Sequence, residues 1–332
     1  MDKRIIDKNS LKSTSEIALN AIFIADTLPE TNFKKHKDRT IPVYDKYYPF
    51  NPKKAETVLE CGTSLWFHLK ENIETKEQKL KLANMYTCKD RFCPFCNWRR
   101  QAKYSKLVYE YLFNLQEQKK LRYIFLTLTV PNCHIDELRE TIKKMSQSFQ
   151  RMKETKRWKD SILGYLRVLE YTVEKKRKDY VQPHFHILLA VEPQYFDTKK
   201  NLYIKRDEFL QMWRDAYRDQ NITQVDIRIV KANKDKNATA SAVAEMCKYP
   251  LKDTDISKLT SEQFEKLVIQ LKGVRNINAG GILKNILKST EKIDDDLIHL
   301  DKEKNEELWI FIREVLYSYE NRNGKINYYL KG

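Results

Sequence analysis

The sequence is poor in the two residues that build flexible linkers and sharp turns, with 7 glycines and 9 prolines among 332 residues. This scarcity argues against long flexible linkers between domains. The sequence also lacks an apolar run of the roughly 20 residues that a membrane-spanning helix needs, and its first residues contain no apolar signal-peptide core. We therefore expect a cytoplasmic protein that does not enter a membrane.

The charge balance of the sequence is strongly positive. Lysine and arginine number 62 against 46 aspartates and glutamates, which gives a formal net charge of +16. Because this excess is spread through the chain, it favours a polyanionic partner; nucleic acid is the first interpretation and an anionic membrane surface is the second. The apolar fraction of 41% is enough for a buried core in one large or two modest domains.

The periodicity of apolar residues is clearest in the middle of the chain. It predicts, in chain order, a strand at 121–130, a helix over 135–152, strands at 164–174 and 182–191, a helix over 205–218, a strand at 224–230 and a helix through ATASAVAEMCKY. This β-α-β-β-α-β-α order is typical of the split βαβ, ferredoxin-like or RRM-like, arrangement with an added helix. The sequence therefore predicts an α+β fold whose first and third strands lie at the centre of an antiparallel sheet.

Two histidines lie close together on the third predicted strand, in the stretch VQPHFHILLAV. Alternation along a strand puts His184 and His186 on one face and Phe185 on the other. Taken alone, the pair could be ordinary cross-strand or surface residues. If the preceding strand pairs in a hairpin that sets Glu170 opposite His186 and Thr172 opposite His184, two imidazoles and a carboxylate meet on one face.

Such a set of two histidines and one carboxylate holds a divalent cation from one side and leaves coordination positions open. A slip of one residue would remove Glu170 from the site, so this ligand depends on the register. In a basic protein the expected substrate at the open positions is a phosphodiester, and Mg²⁺ or Mn²⁺ would suit its oxygens.

A possible nucleophile follows in the stretch VAEMCKYPLK. Glu245 and Tyr249 are four residues apart and share a helix face, and Lys252 follows close behind. A tyrosine that attacks a phosphodiester forms a covalent phosphotyrosine, and the metal, Lys248 or Lys252 could lower its pKa. The ordinary alternative is that Tyr249, one of 19 tyrosines, only packs or lies on the surface.

The six cysteines are expected to be thiols or metal ligands rather than disulfides in a reducing compartment. Cys88, Cys93 and Cys96 form a C-x4-C-x2-C pattern, and Cys61 lies upstream, so together they predict a structural Zn²⁺ site. His68 is the alternative fourth ligand, and a redox role of CPFC is the alternative function. The two other cysteines, Cys133 and Cys247, are interpreted as small packing side chains.

Arginines cluster around these cysteines, at positions 91, 99 and 100. Arg91, Arg99 and Arg100 are expected to contact DNA phosphate. The alternative is that they hold helix ends and remain in solvent.

Four motifs together resemble the rolling-circle replication initiators of small plasmids, which belong to the HUH endonuclease superfamily. They are CKDRFCPFCNWRR, FLTLTVPN, PHFHILL and EMCKYPLK, and they occur in the family's order between about Cys61 and Lys252. The resemblance implies binding of the plasmid's double-strand origin and metal-dependent nicking of one strand. It also implies that Tyr249 becomes linked to the 5′ end and frees a priming 3′-OH.

The chain resembles the single-tyrosine subgroup, because Glu245 stands one turn before Tyr249. In that subgroup the glutamate activates water for the terminating hydrolysis; a simple ion pair of Glu245 with Lys248 is the alternative. Lys248 is also expected to contact DNA. The expected partners are double- and single-stranded origin DNA, a host helicase and the replication machinery.

The expected organisation has four segments. They are an irregular basic arm over 1–58, a zinc-binding module over 59–105, the HUH nicking and joining domain over 106–255, and a helical C-terminal region over 256–332. Two other functions remain open: a different HUH enzyme, such as a tyrosine transposase or a relaxase, and a non-catalytic zinc-containing nucleic-acid-binding protein.

Overall fold

The computed structural model describes residues 16–19, 25–29, 31–230, 243, 246–247, 256–286, 288, 293–299 and 306–331. The chain divides into two compact units, one formed by residues 1–103 with 293–332 and the other by residues 104–292. No helix in these described ranges is long and apolar enough to cross a bilayer.

The regular elements are numbered here in chain order. The helices are α1 (Asn32–Asp38), α2 (Thr40–Tyr47), α3 (Pro52–Glu60), α4 (Pro94–Lys119), α5 (Leu138–Glu154), α6 (Lys156–Ser161), α7 (Arg206–Tyr217) and α8 (Ser261–Leu271). The strands are β1 (Glu16–Leu19), β2 (Ser64–Asn72), β3 (Gln78–Met85), β4 (Arg122–Thr129), β5 (Cys133–His134), β6 (Gly164–Val173), β7 (Tyr180–Val191), β8 (Val225–Ile229), β9 (Ile277–Gly281), β10 (Trp309–Arg322) and β11 (Lys325–Lys331).

The second unit contains an antiparallel sheet in the order β8-β4-β7-β6-β9, with β5 paired to the start of β7. Four of these strands, with α5 and α7 between them, have the split βαβ order. The prediction that the first and third strands lie side by side at the centre is confirmed, because β4 pairs with β7 along its whole length.

One face of this sheet is covered by α5. Phe185, Ile187 and Leu189 of β7, which point to this face, are fully buried, and the ring of Phe149 on α5 lies 6.1 Å from that of Phe185. The six apolar positions from which the helix is predicted are all buried, namely Ile135, Leu138, Ile142, Met145, Phe149 and Met152. The amphipathic pattern therefore identified a helix that shields the sheet from water.

The opposite face of the sheet is apolar towards one end and polar towards the other. Its apolar part packs against α4 and against two residues near position 245. The buried cluster contains Tyr123, Phe125, Leu166, Val168, Leu188 and Ala190 of the strands together with Val108, Leu112, Leu121, Val243, Met246, Leu283 and Ile286. Its polar part contains Glu170, His184 and His186, which follow Val168 and precede Leu188 on the same face of β6 and β7.

The first unit contains a second antiparallel sheet, in the order β1-β3-β2-β10-β11. Phe67 of β2 is fully buried and packs edge-on against Phe33 of α1 at 6.0 Å and against Tyr317 of β10 at 6.0 Å. Strands from both ends of the chain thus share one core.

The prediction of a helical C-terminal region was wrong. Helix α8 is present, but β10 and β11 form a hairpin that pairs with β2. Asn323 and Gly324 form the turn with φ of 53° and 81°, values that match the type I′ turn of tight hairpins. The alternating aromatic and polar residues of these strands suit a half-buried sheet rather than a helix.

The expectation of an irregular arm over 1–58 also differs from the structure. Residues 32–60 form α1, α2 and α3, whose apolar side chains Phe33, Val43, Ala55 and Val58 are buried. The start of α3 carries a local signal, because the Asn51 side chain accepts a hydrogen bond from the Lys54 amide at 3.1 Å and Pro52 occupies the first helical position.

Candidate metal centres and active site

The hairpin of β6 and β7 brings the predicted ligands to one face. Its register sets Glu170 opposite His184 and Val168 opposite His186, so the predicted pairing was wrong by two residues. The reason is a shorter connection, because β7 begins at Tyr180 rather than at 182. Because side chains alternate with a period of two, this shift leaves Glu170 on the face of the histidines.

The three side chains are in direct contact. Glu170 Oε2 lies 2.8 Å from His186 Nε2 and 3.6 Å from His184 Nε2, and the three possible ligand atoms lie within 4.8 Å of one another. In an octahedral shell with bonds of about 2.1 Å, adjacent ligand atoms are about 3 Å apart. The donor set therefore fits a divalent cation bound from one side, with further positions open.

Hydrogen bonds on the far side of each imidazole fix its orientation. His184 Nδ1 lies 3.1 Å from the Gln182 carbonyl, which can only accept, so Nδ1 donates to it and Nε2 faces the site. His186 Nδ1 lies 3.2 Å from Thr127 Oγ1 on the neighbouring strand β4. Such outer contacts orient metal-binding histidines.

The carboxylate is nearly buried, with 8% of its residue surface exposed. Burial by itself would raise the pKa of Glu170, but hydrogen bonds and charge interactions with His184 and His186 outweigh it and bring the pKa to about 2. Glu170 is therefore ionised at neutral pH, as a metal ligand must be.

The predicted nucleophile and its helpers lie outside the described residues. These are Glu245, Lys248, Tyr249 and Lys252. Their described neighbours Val243 and Met246 are buried in the apolar cluster that contains Val168 and Leu188. The chain on either side of Glu245 is thus anchored on the sheet face that carries the histidines.

Four cysteine sulfurs meet in the first unit. Cys61, Cys88, Cys93 and Cys96 place their sulfur atoms within 4.8 Å of one another, with 3.4 Å between Cys61 and Cys96 and 3.7 Å between Cys88 and Cys96. Sulfurs bound tetrahedrally to zinc at about 2.3 Å lie about 3.8 Å apart. The cluster therefore suggests a zinc-type site with four protein ligands, while His68 Nε2 lies 3.7 Å from Glu314 Oε1 instead.

A buried lysine and a buried aspartate support the cysteine loops. Lys37 donates hydrogen bonds to the carbonyls of Leu59 and Cys61 and to Thr63 Oγ1. Burial lowers the pKa of Lys37 to about 8, and the neighbouring thiols oppose this shift. Asp90 accepts from the Phe92 amide at 2.7 Å within the C-x4-C loop.

The arginines near the cysteines have different surroundings. Arg99 is fully buried and donates to the carbonyls of Leu297, at 2.8 Å, and Ile298. The structure therefore does not support the expected phosphate contact of Arg99. Arg100 donates to the Asp90 carbonyl at 3.0 Å and to Asn97 Oδ1 at 2.9 Å, and so braces the C-x4-C loop, while Arg91 is half-buried on that loop.

The two remaining cysteines are free thiols away from the cluster. Cys133 is buried at the start of β5, and burial raises the pKa of Cys247 to about 12. A thiol with so high a pKa is a poor nucleophile and metal ligand, which agrees with a packing role.

Comparison with known proteins identifies the family. The model of the Rep_1 family, described as Replication protein, matches residues 79–329 and so spans the region from β3 to β11. The chain belongs to this family. The resemblance to plasmid replication initiators, first noted in four short motifs, is confirmed by this match.

Several curated proteins of the same kind are similar to the Rep_1 chain over most of their length. Protein rep of Staphylococcus aureus is 38% identical over 222 residues, which are 67% of this chain and 92% of the relative. Protein rep of Lentilactobacillus hilgardii is 34% identical over 84% of this chain and 88% of its own. Protein rep of Bacillus amyloliquefaciens is 36% identical over 78% of this chain and 80% of the relative. No solved structure matches this chain.

Sequence patterns did not reveal the residues that support the two sites. Thr127 lies in a strand 59 residues before His186, and Lys37 lies 24 residues before Cys61. Each depends on a tertiary contact, so a local motif could not indicate it. A strand register between β4 and β7 would have pointed to Thr127, because it lies directly opposite His186.

Proposed function

We propose that this replication protein is a rolling-circle initiator of the HUH type, which nicks one strand of its plasmid's double-strand origin. The observation that carries this proposal is the cluster of Glu170, His184 and His186 on the central strands, on the same sheet face as the buried Val243 and Met246. That face combines a metal-binding set with two described residues of the VAEMCKYPLK stretch.

Chain length limits how far Tyr249 can lie from this face. Tyr249 is three positions after Met246 in the sequence, so their Cα atoms are at most about 11 Å apart. Glu245 is adjacent to Met246 in the chain. These limits make an attack by the Tyr249 hydroxyl on a phosphate beside the histidines sterically feasible.

In the proposed nicking step, Tyr249 Oη attacks the phosphorus of the scissile phosphodiester. The bond between phosphorus and O3′ breaks as the bond to Oη forms. The phenol proton of Tyr249 is released to solvent, and O3′ takes up a proton from solvent. The products are a 5′-phosphotyrosine and a free 3′-OH that primes synthesis. A divalent cation held by Glu170, His184 and His186 would neutralise charge on the phosphate oxygens when bound.

The basic and acidic neighbours of Tyr249 have separate proposed roles. Lys248 and Lys252 favour the phenolate form of Tyr249 through their positive charge. Glu245 takes a proton from water in the terminating hydrolysis, after synthesis from the 3′-OH has displaced the nicked strand. A single tyrosine can thus start and end one round of replication.

The remaining features are consistent with an origin-binding protein. The net charge of +16 favours DNA association, and Arg91, Arg100 and Lys248 are proposed to contact phosphates. The cysteine cluster is proposed to hold a structural Zn²⁺, because four protein ligands leave no open position for catalysis. A host helicase and polymerase would extend the nicked strand.

The test is a nicking assay on supercoiled plasmid that carries the origin, with Mn²⁺ or Mg²⁺. We expect a nicked circle with covalently bound protein, and we expect chelation by EDTA to abolish it. The Tyr249→Phe variant should bind the same DNA without nicking it. Undiminished nicking by Tyr249→Phe would refute the nucleophile, and binding without any nicking by the unmodified chain would favour a non-catalytic DNA-binding protein.

A further inference from the structure

A second polar site lies on the opposite face of the same sheet, between α5 and the edge strand β9. We call it the Arg167 niche and define it by Lys153, Tyr165, Arg167 and Asn278. Arg167 and Asn278 are directly opposite each other in the pairing of β6 with β9. Because Arg167 is three residues from Glu170 on β6, its side chain points away from the metal-binding set.

The Arg167 side chain is held between two phenyl rings. Its guanidinium carbon lies 4.1 Å from the ring centre of Phe185 and 5.2 Å from that of Phe149. The Nε of this side chain is buried without an acceptor. No described residue forms a hydrogen bond or an ion pair with the Arg167 guanidinium. Burial lowers its pKa to about 10, so the group still carries a full positive charge at neutral pH.

A second cation lies beside it. Lys153 Nζ is 5.6 Å from the ring centre of Phe149 and donates to Tyr165 Oη at 3.0 Å. The neighbouring carboxylate of Glu154 is paired with Lys159 at 2.8 Å. The niche therefore holds two positive charges, and no described carboxylate is in contact with either.

The acceptors of the niche are already used. Tyr165 Oη accepts from Lys153 and donates to Asn278 Oδ1 at 2.9 Å. Gly280 makes this arrangement possible, because a Cβ atom there would lie 2.5 Å from the Tyr165 ring. What remains is a set of N–H donors on Arg167, Lys153 and Asn278, each of which keeps part of its surface in solvent.

The N–H donors of the niche favour the binding of an anion. A buried cation without a partner costs free energy, and a guanidinium matches the oxygens of a phosphate in two parallel hydrogen bonds. For a replication protein with a net charge of +16, the DNA backbone is the partner that supplies phosphate groups.

We propose that the Arg167 niche binds a phosphate of the origin DNA at a point outside the nicked bond. This inference rests on the proposed function, because it requires a DNA strand at the opposite face. Strand β9 is the last in the sheet order, so the DNA would pass around this edge to reach both faces. The niche would then fix how the strand enters the active site.

The test measures equilibrium binding of a fluorescein-labelled origin oligonucleotide at several salt concentrations, by fluorescence anisotropy. All proteins carry Tyr249→Phe so that no covalent product forms. Arg167→Met removes the charge but keeps an apolar chain between the two phenyl rings. We expect binding roughly 10- to 100-fold weaker, and a slope of log affinity against log salt smaller by about 0.7 to 0.9.

A second variant keeps the test informative if Arg167→Met is unstable. Asn278→Asp retains the acceptor for Tyr165 and sets a carboxylate opposite Arg167, so the protein should melt no earlier than the parent while DNA binding weakens similarly. Arg218→Met is the matched control, because Arg218 is exposed at the end of α7 on the same unit, and it should change affinity less than about twofold.

Three outcomes would overturn the inference. The first is that Asn278→Asp and folded Arg167→Met bind DNA with the affinity and the salt dependence of the Tyr249→Phe parent, while the unmodified chain still nicks origin DNA. The second is an equal loss in Arg218→Met, which would indicate only net charge. The third is displacement of the oligonucleotide from the niche by millimolar inorganic phosphate at constant ionic strength, which would indicate a small-anion site. Failure of the parent itself to bind DNA would instead contradict the proposed function.

Discussion

Thr127 offers the sharpest test of how the metal-binding set is held. Its Oγ1 lies 3.2 Å from His186 Nδ1, and this is the one side-chain hydrogen bond between β4 and a proposed ligand among the described residues. Thr127→Val removes the hydroxyl but keeps the branched shape that suits a strand. The next residue on the same face, Thr129, provides a matched control, because its hydroxyl donates to the Gln224 carbonyl at 3.2 Å instead of to an imidazole.

The size of the effect follows from the kind of contact. One hydrogen bond between neutral groups contributes about 0.5 to 1.5 kcal/mol, and loss of an outer contact of a metal-bound histidine weakens binding by about 10- to 100-fold. Because His184 and Glu170 remain in place, we expect the lower end of this range. Thr127→Val should therefore weaken Mn²⁺ binding about tenfold, or about 1.4 kcal/mol.

The assay is isothermal titration of the zinc-loaded protein with Mn²⁺. Thr129→Val should bind Mn²⁺ within a factor of about two of the unmodified protein. Equal affinities in the unmodified chain and Thr127→Val would refute the argument that Thr127 orients His186. Equal losses in the two valine variants would indicate a general weakening of β4 instead.

Three further predictions concern the zinc-type site and termination. Cys93→Ser should lose the bound zinc and destabilise the first unit, measured by metal analysis and thermal melting; a folded, metal-free variant would contradict the assignment. Lys37→Met should release zinc to a chelating dye at least about tenfold more readily than the unmodified protein. The control Lys34→Met, which removes an exposed ion pair with Asp38, should release zinc as the unmodified protein does. Equal release from the two variants would contradict the role of Lys37. Glu245→Ala should still nick origin DNA but should not release finished single-stranded circles, as seen on gels of replication products; normal release would exclude Glu245 as the base.

The sheet of the second unit could be predicted because its residues follow simple periods. The apolar positions of α5 recur every three or four residues, and those of β4 and β7 alternate, so local rules and tertiary packing agree. The face shared by His184 and His186 follows from alternation alone. This agreement is what made the order of β4, β6, β7 and β8 predictable from the sequence, whereas β9 lies in the region predicted to be helical.

The register of the β6–β7 hairpin could not be predicted with the same certainty. The loop KKRKDY contains no glycine or asparagine that fixes a turn type, so the predicted register differs from the observed one by two residues. Glu170 lies on the predicted face because a register difference of two residues leaves each side chain on the same face of the strand. A one-residue error would have turned its side chain to the other face.

The first unit was predicted least well because its sheet joins distant parts of the chain. Strand β2 pairs with β10, so Phe67 meets Tyr317 across 250 residues. The Asn-Gly pair at positions 323 and 324 is a hairpin signal in the sequence. The acidic stretch before it does not indicate a strand. The burial of Arg99 depends on carbonyls near position 297, which no local pattern indicates.

The most direct test of the central claim is to locate the covalent bond between protein and DNA. The protein is incubated with supercoiled origin plasmid and Mn²⁺, then digested with nuclease and protease, and the nucleotide-bearing peptide is sequenced by mass spectrometry. We predict a phosphodiester on Tyr249 that depends on His184, His186 and Glu170. A nucleotide on another residue, or nicking without any covalent product, would contradict the account.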